Sequence, residues 1–298
     1  MWQRLQSMDK GVLYMLFAAM LFAFMGAFAK VLSDDISSLE IVFFRNVFGV
    51  FLILLTVWKT PMSHVGGKPW LLFFRGFMGF TALLAFFYNI AHIPLADAMT
   101  FSKTSPIFTA IFAFLFLSEK LSKKGWFALF IGFIGIVFIT DPSGLRFDKY
   151  DLLGIFSGVG AALAYTSVRE LKKYYDTRAI VLSFMVVGTV GPVILMLVTP
   201  LINASKDWDV LFSPFVMPQG WMWLKIIAMG TFATLAQVYM TKAYGESKAG
   251  IVGTISYANI PFSIIVGLFL GDAFPTLFVM VGIILIVTSG VLVAKEKS

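Results

Sequence analysis

Five basic side chains lie where a basic side chain is costly: Lys30, Arg45, Arg75, Lys103 and Lys225 fall inside or at the ends of long apolar stretches. A charge within a membrane-spanning segment needs water, a counter-charge or a ligand, so each is a candidate functional group. The chemistry available to such a set is electrostatic capture of an anion. Lys30 and Lys225 sit at stretch ends, where a long stem reaches the headgroups. Lys103 lies deeper, three residues before Pro106, in the polar run Thr100-Phe101-Ser102-Lys103-Thr104-Ser105-Pro106. Proline has no N–H for the carbonyl four residues back and crowds it, which frees the carbonyl of Ser102 and predicts a bend beside Lys103. The device recurs in Ser256-Tyr257-Ala258-Asn259-Ile260-Pro261, where the freed carbonyl is that of Tyr257 and no charge is present. Sliding the chain by the spacing of Pro106 and Pro261 sets Ser102 on Tyr257, Lys103 on Ala258 and Thr104 on Asn259. The positive charge therefore belongs to one copy only.

Other chemistries are poorly supplied. The two histidines, His64 and His92, fall in or near opposite loops, and cysteine is absent. No pair of carboxylates shares a mid-stretch helix face for acid–base or metal work, which argues against an intramembrane enzyme. No metal or other cofactor is expected. A channel or a lipid scramblase are the remaining alternatives on such a scaffold. They differ from a carrier in conduction and in moving lipid.

The elements that position these residues follow from composition. With 59% hydrophobic residues, 13% charged and a mean hydropathy of +0.89, a chain of 298 residues is an all-α membrane protein. Apolar stretches run roughly over 12–30, 39–58, 70–90, 97–117, 124–140, 152–169, 180–200, 221–241, 249–270 and 275–294, most near the ~20 residues that span a bilayer as helix. Their continuity excludes barrel strands, which alternate. The first stretch lacks a small-residue cleavage site and reads as a transmembrane helix rather than a removable signal. Ten helices fall into two sets of five, 1–145 and 146–298, and an odd-numbered repeat inverts its second copy. Paired proline-broken helices in an inverted 5+5 repeat point to a binding site at mid-depth and to alternating access.

Orientation explains the net charge of +7. With the N terminus inside, fifteen of the basic residues fall in cytoplasmic segments and three, Arg146, Lys149 and Lys206, in outer loops. Both termini are thus expected to face the cytoplasm, and the basic balance says nothing of nucleic acid, which is not an expected partner. The glycines of Gly132-x-x-Gly135 and Gly154-x-x-x-Gly158-x-Gly160 read as close helix packing.

The sequence Arg75-Gly76, then Pro94-Leu95-Ala96-Asp97-Ala98, then Ser105-Pro106-Ile107-Phe108, then Ser118-Glu119-Lys120 resembles the EamA-type branch of the drug/metabolite transporter superfamily. Each half also ends in an apolar run with a central proline, an acid (Glu119, Asp272) and a closing helix. The resemblance covers nearly the whole chain. It implies a multi-pass transporter of small organic metabolites in the bacterial inner membrane, as monomer or homodimer. It further implies a cavity lined by the first, third and fourth helices of each half, which points to Tyr88, Lys103, Tyr165, Gln237 and Tyr257, with Arg45 bracing it. Pro275, just after Asp272, departs from the pattern.

From charge, Lys103 with Arg45 or Arg75 attracts a small carboxylate- or phosphate-bearing substrate, while Tyr88, Tyr165 and Tyr257 grip its apolar part. A zwitterion would instead set its carboxylate on Lys103 and its amine on a tyrosine or Asn259. Ser102 joins this set through the proline break. Glu40 and Asp97, at the outer ends of helices, are expected to pair with Lys30 or Arg45 in an outer gate or to serve energy coupling.

Overall fold

The computed structural model describes residues 10–62, 66–117, 122–140, 148–202, 208–246 and 255–297. Eleven α-helical segments follow in order: α1 Lys10–Leu32, α2 Ser38–Lys59, α3 Pro69–His92, α4 Leu95–Ser102, α5 Ser105–Leu117, α6 Lys123–Thr140, α7 Lys149–Leu171, α8 Thr177–Val198, α9 Met222–Glu246, α10 Asn259–Phe269 and α11 Leu277–Lys297. No strand is present among the described residues. Among the described residues the apolar stretches read from the sequence coincide with these helices to within about five residues, apart from the ninth, whose first residues, 249–254, lie outside the described residues. Five of them, α1, α2, α3, α7 and α8, are each long and apolar enough to cross a membrane. The fourth stretch is not one helix but two, α4 and α5, and the ninth opens as a 3-10 turn at Ser256–Ala258 before α10. The prolines cause both interruptions, because Pro106 and Pro261 cannot donate to the preceding turn. Where a bend was expected at Lys103, the helix stops and restarts. Glu119 and the rest of 118–121 lie outside the described residues.

Local chemistry sets the helix starts. At α2, Ser37 Oγ accepts from Glu40 N at 3.3 Å and Glu40 returns a bond from Ser37 N at 3.0 Å, a reciprocal cap. Asp148 and Asp151 repeat it at α7. Pro69 opens α3 at a position where no N–H is needed.

The helices pair across the two halves. α1 lies along α9 and α3 along α7, while α2 packs on α8, α6 on α11 and α4 on α10. In the α6–α11 seam the backbones nearly touch, since a Cβ added at Gly135 would stand 2.9 Å from Gly282 O and one at Gly282 2.8 Å from Gly135 O. Side chains large and apolar, among them Phe51, Phe130, Leu197 and Phe269, point outward. Trp58 and Trp70 are 83% exposed where α2 ends and α3 begins, the position of an aromatic belt.

Contacts divide the bundle into an acidic and a basic end. At the acidic end Lys30 meets Asp272, Lys149 meets Asp209 and Lys225 meets Asp35. At the basic end Lys68 and Lys173 share Glu170, and Arg178 bridges Asp176 to the carbonyls of Thr60 and Pro61.

Candidate functional site

The break between α4 and α5 is fixed by Thr104, whose hydroxyl donates to Phe101 O at 2.7 Å and whose amide donates to the same carbonyl at 3.0 Å. Lys103 is the residue at the break, with φ −78° and ψ 0°. α7 approaches so closely here that a Cβ at Gly158 would meet Phe101 O at 3.0 Å. This glycine therefore allows the broken helix to lie flush on its neighbour.

Beside the break is a cavity of about 110 Å³, with walls from α1 to α4 and from α7 to α10. Seven of the residues singled out from the sequence line it: Arg45, Arg75, Ser102, Lys103, Tyr165, Gln237 and Asn259. They come from six helices. Arg45 and Arg75 are each only 4% exposed. Arg45 donates from Nη1 to Asn46 Oδ1 at 3.0 Å, and Asn46 is in turn held by its amide on Val42 O at 2.8 Å and Gly188 O at 3.2 Å. Both guanidiniums face the ring of Phe184, at 5.4 Å for Arg45 and 4.7 Å for Arg75, a favourable cation–π arrangement. Yet no carboxylate pairs with Arg45, Arg75 or Lys103 among the described residues, and the Nε donors of both arginines are buried without a partner there. Tyr165, by contrast, is 45% exposed, as suits a ring facing open space. Asn259 donates to Ala19 O at 2.9 Å, leaving its buried Oδ1 without a donor among the described residues.

Other expected residues stand apart from the cavity. Tyr88 sits at the acidic end, where its hydroxyl donates to Asp209 at 2.8 Å, accepts from Lys149 at 2.8 Å and its ring stacks on His92 at 4.2 Å. The pull of that charged pair takes it out of the cavity wall. Partial burial pushes the Asp209 carboxyl up, but the hydrogen bonds from Lys149 and Tyr88 outweigh it and hold the group below its ordinary range. Tyr257 is buried against Gly290 in the apolar cluster between α6 and α11. Pro106 and Pro261 set the helix breaks without contacting the cavity as lining residues.

The expected pairing at the acidic end is also corrected. Lys30 binds Asp272 at 2.6 Å and the carbonyl of Ile93 at 3.1 Å, and Asp272 accepts from Leu95 N at 2.9 Å. The carboxylate of Asp272 lies on the far side of the bundle in sequence, so spacing alone did not suggest it. Glu40 binds no cation: it caps α2 and accepts from Val216 N at 2.7 Å, tying the segment before α9 to the bundle. Asp97 sits in the first turn of α4, with Oδ1 unpartnered among the described residues. Phe184 and Asn46, which orient the arginines, were not singled out from the sequence because nothing in their spacing sets them apart from packing residues.

A bundle of apolar helices around a small, basic hollow has the build of a membrane transporter. Comparison with known proteins agrees. The chain is 36% identical to an uncharacterized transporter of Helicobacter pylori over 95% of this chain and 94% of that one. It is 32% identical to the pseudopaline exporter CntI of Pseudomonas aeruginosa, over 98% and 99% of the two chains. A protein of known crystal structure shares the fold with a TM-score of 0.62 over 96% of each chain at 18% identity. Residues 9–141 match the EamA-like transporter family. The chain belongs to that family and is an integral membrane transporter.

Proposed function

We propose that this chain carries a small organic anion across the bacterial inner membrane by alternating access, with its two halves inverted and both termini in the cytoplasm. One observation carries the reading: three cations, the buried Arg45 and Arg75 and the partly buried Lys103, line a single cavity with no carboxylate partner among the described residues. A cationic solute entering such a site meets repulsion that a low dielectric amplifies, whereas an anion supplies the missing counter-charge. Asn259 Oδ1 offers an acceptor in the same wall for an amine or hydroxyl of the substrate.

The helix pairing supports two equivalent halves, which five passes each would place in opposite orientations. If α4 and α5 count as one pass and α10 with its 3-10 turn as another, α1 on α9 becomes α7 on α3 when the halves are exchanged. The pairs α2–α8, α4–α10 and α6–α11 each map onto themselves. This is the pattern of two like units related by a two-fold axis. The acidic end then faces outward and the basic end inward, in keeping with the excess of lysine and arginine in cytoplasmic loops. The relative named as an exporter of pseudopaline is in keeping with an organic metabolite as cargo.

The test is uptake into proteoliposomes. Lys103→Ala is expected to abolish transport of an anionic substrate while inserting and folding normally, and full transport by that variant would refute the charge argument. Because the chain has no cysteine, single cysteines placed near each terminus report sidedness without background. Labelling of the two from opposite sides of the membrane would refute the inverted arrangement.

A further inference from the structure

The charges of the cavity are divided, and the division bears on what the substrate carries. Arg45 and Arg75 face one aromatic ring, that of Phe184, from α2 and α3. They are therefore neighbours, and each keeps a buried Nε donor without a partner among the described residues. Lys103 stands at the break between α4 and α5 and shares neither the ring nor a hydrogen bond with them among the described residues. Asn46, fixed by its own two backbone bonds, holds Arg45 in place, while Arg75 rests over the Phe184 ring at 4.7 Å. A single carboxylate held by the buried guanidinium pair leaves the Lys103 ammonium on the cavity wall without a counter-charge, and one held by Lys103 leaves two buried guanidiniums uncompensated, which is costly.

We infer that the substrate carries two anionic groups, one gripped by the Arg45–Arg75 pair and the other by Lys103, as in a dicarboxylate or a phosphorylated carboxylic acid. This inference rests on the anion reading of the same cavity. The guanidinium fork suits the planar, bidentate carboxylate or a phosphate, and the ammonium serves as a point charge for the second group. Ser102 next to Lys103 and Asn259 across the cavity add neutral contacts for the stretch between them.

The experiment is a thermal-shift titration of the purified protein with butyrate, succinate, malate and 3-phosphoglycerate, with choline as the cationic control. At least one dianion is expected to stabilise the protein at a concentration about tenfold below that needed with butyrate. Arg75→Gln and Lys103→Gln, tested separately, are each expected to erase that preference, bringing dianion and monoanion to within about threefold of each other. Arg75→Lys, which keeps the charge, controls for misfolding by restoring part of the preference. Equal potency of butyrate and the dianions overturns the two-anion inference and leaves the anion reading standing. Stabilisation by choline alone overturns both. No shift with any of the anions at millimolar concentration also overturns the inference.

Discussion

The acidic end of the bundle and the cavity beneath it hold the same kinds of side chain in opposite states. At the end, every cation described has a partner: Lys30 on Asp272, Lys149 on Asp209 and Tyr88, Lys225 on Asp35. Glu40, buried there, spends its acceptors on backbone amides and the Ser37 hydroxyl. In the cavity, Arg45 and Arg75 find one aromatic face and Arg45 one neutral amide, and neither they nor Lys103 meet a carboxylate among the described residues. Charges that are paired contribute to the fold. Charges left unpaired in a hollow cost stability, and on the proposed reading they are retained for an anionic ligand. The stability–function trade-off is thus distributed along the membrane normal.

This comparison breaks most sharply on substitutions. Removing a cavity cation, as in Arg75→Gln, is expected to lower transport by about a hundredfold or more, consistent with loss of a charge-assisted contact of about 3 kcal/mol. It should leave the melting temperature unchanged or slightly raised, since an uncompensated buried charge has been removed. A marked fall in melting temperature would mean that Arg75 is structural. Asp272→Ala should do the reverse. It strips Lys30 of its partner and Leu95 N of its acceptor, costing about 2 kcal/mol, which a lowered denaturation midpoint in detergent would report. Transport by the survivors should be altered in gating rather than in affinity.

A smaller effect is expected for Glu40→Gln. The glutamine amide oxygen still accepts one bond, but the reciprocal cap and the tie to Val216 N weaken, at about 1 kcal/mol. Faster proteolysis of the segment before α9 is the measurement. The smallest effect concerns acid. Asp209 is held below its ordinary value of 3.8 by Lys149 and Tyr88 against the opposing push of burial. A depressed carboxylate contributes its stability above the unfolded value and loses it as pH falls through the lower folded value. The Trp208 environment next to it should therefore stay native on acidification to about pH 4 and change only below that. In Asp209→Asn that acid-linked change should be absent, and a transition at neutral pH in the parent would contradict the assignment.

The sequence was most informative about what the bilayer demands of it. The helix positions follow from continuous apolar runs, because a backbone in hydrocarbon must close its own hydrogen bonds and a helix is the local way to do so. The place of Lys103 at the helix break was legible for a similar reason: a charge and a proline close together in such a run violate two local rules at once. Arg45 and Arg75 could be marked as candidates from depth alone, and the structure brings both to the cavity of Lys103.

Which groups meet across the fold was not legible. Tyr88 had the right type and depth for the cavity, but a carboxylate more than a hundred residues away, Asp209, draws it to the end of the bundle. Lys30 pairs with Asp272 rather than with the nearer acids, and Phe184 joins two arginines from a helix in the other half. Periodicity and hydropathy are local properties, fixed by the solvent each segment must tolerate, and the sequence alone determined them. Side-chain pairing depends on how one helix face is rotated and shifted against another, a sum over many weak packing contacts. Only the tertiary structure decides it, and here it decides which cations are neutralised and which line the cavity without a carboxylate among the described residues.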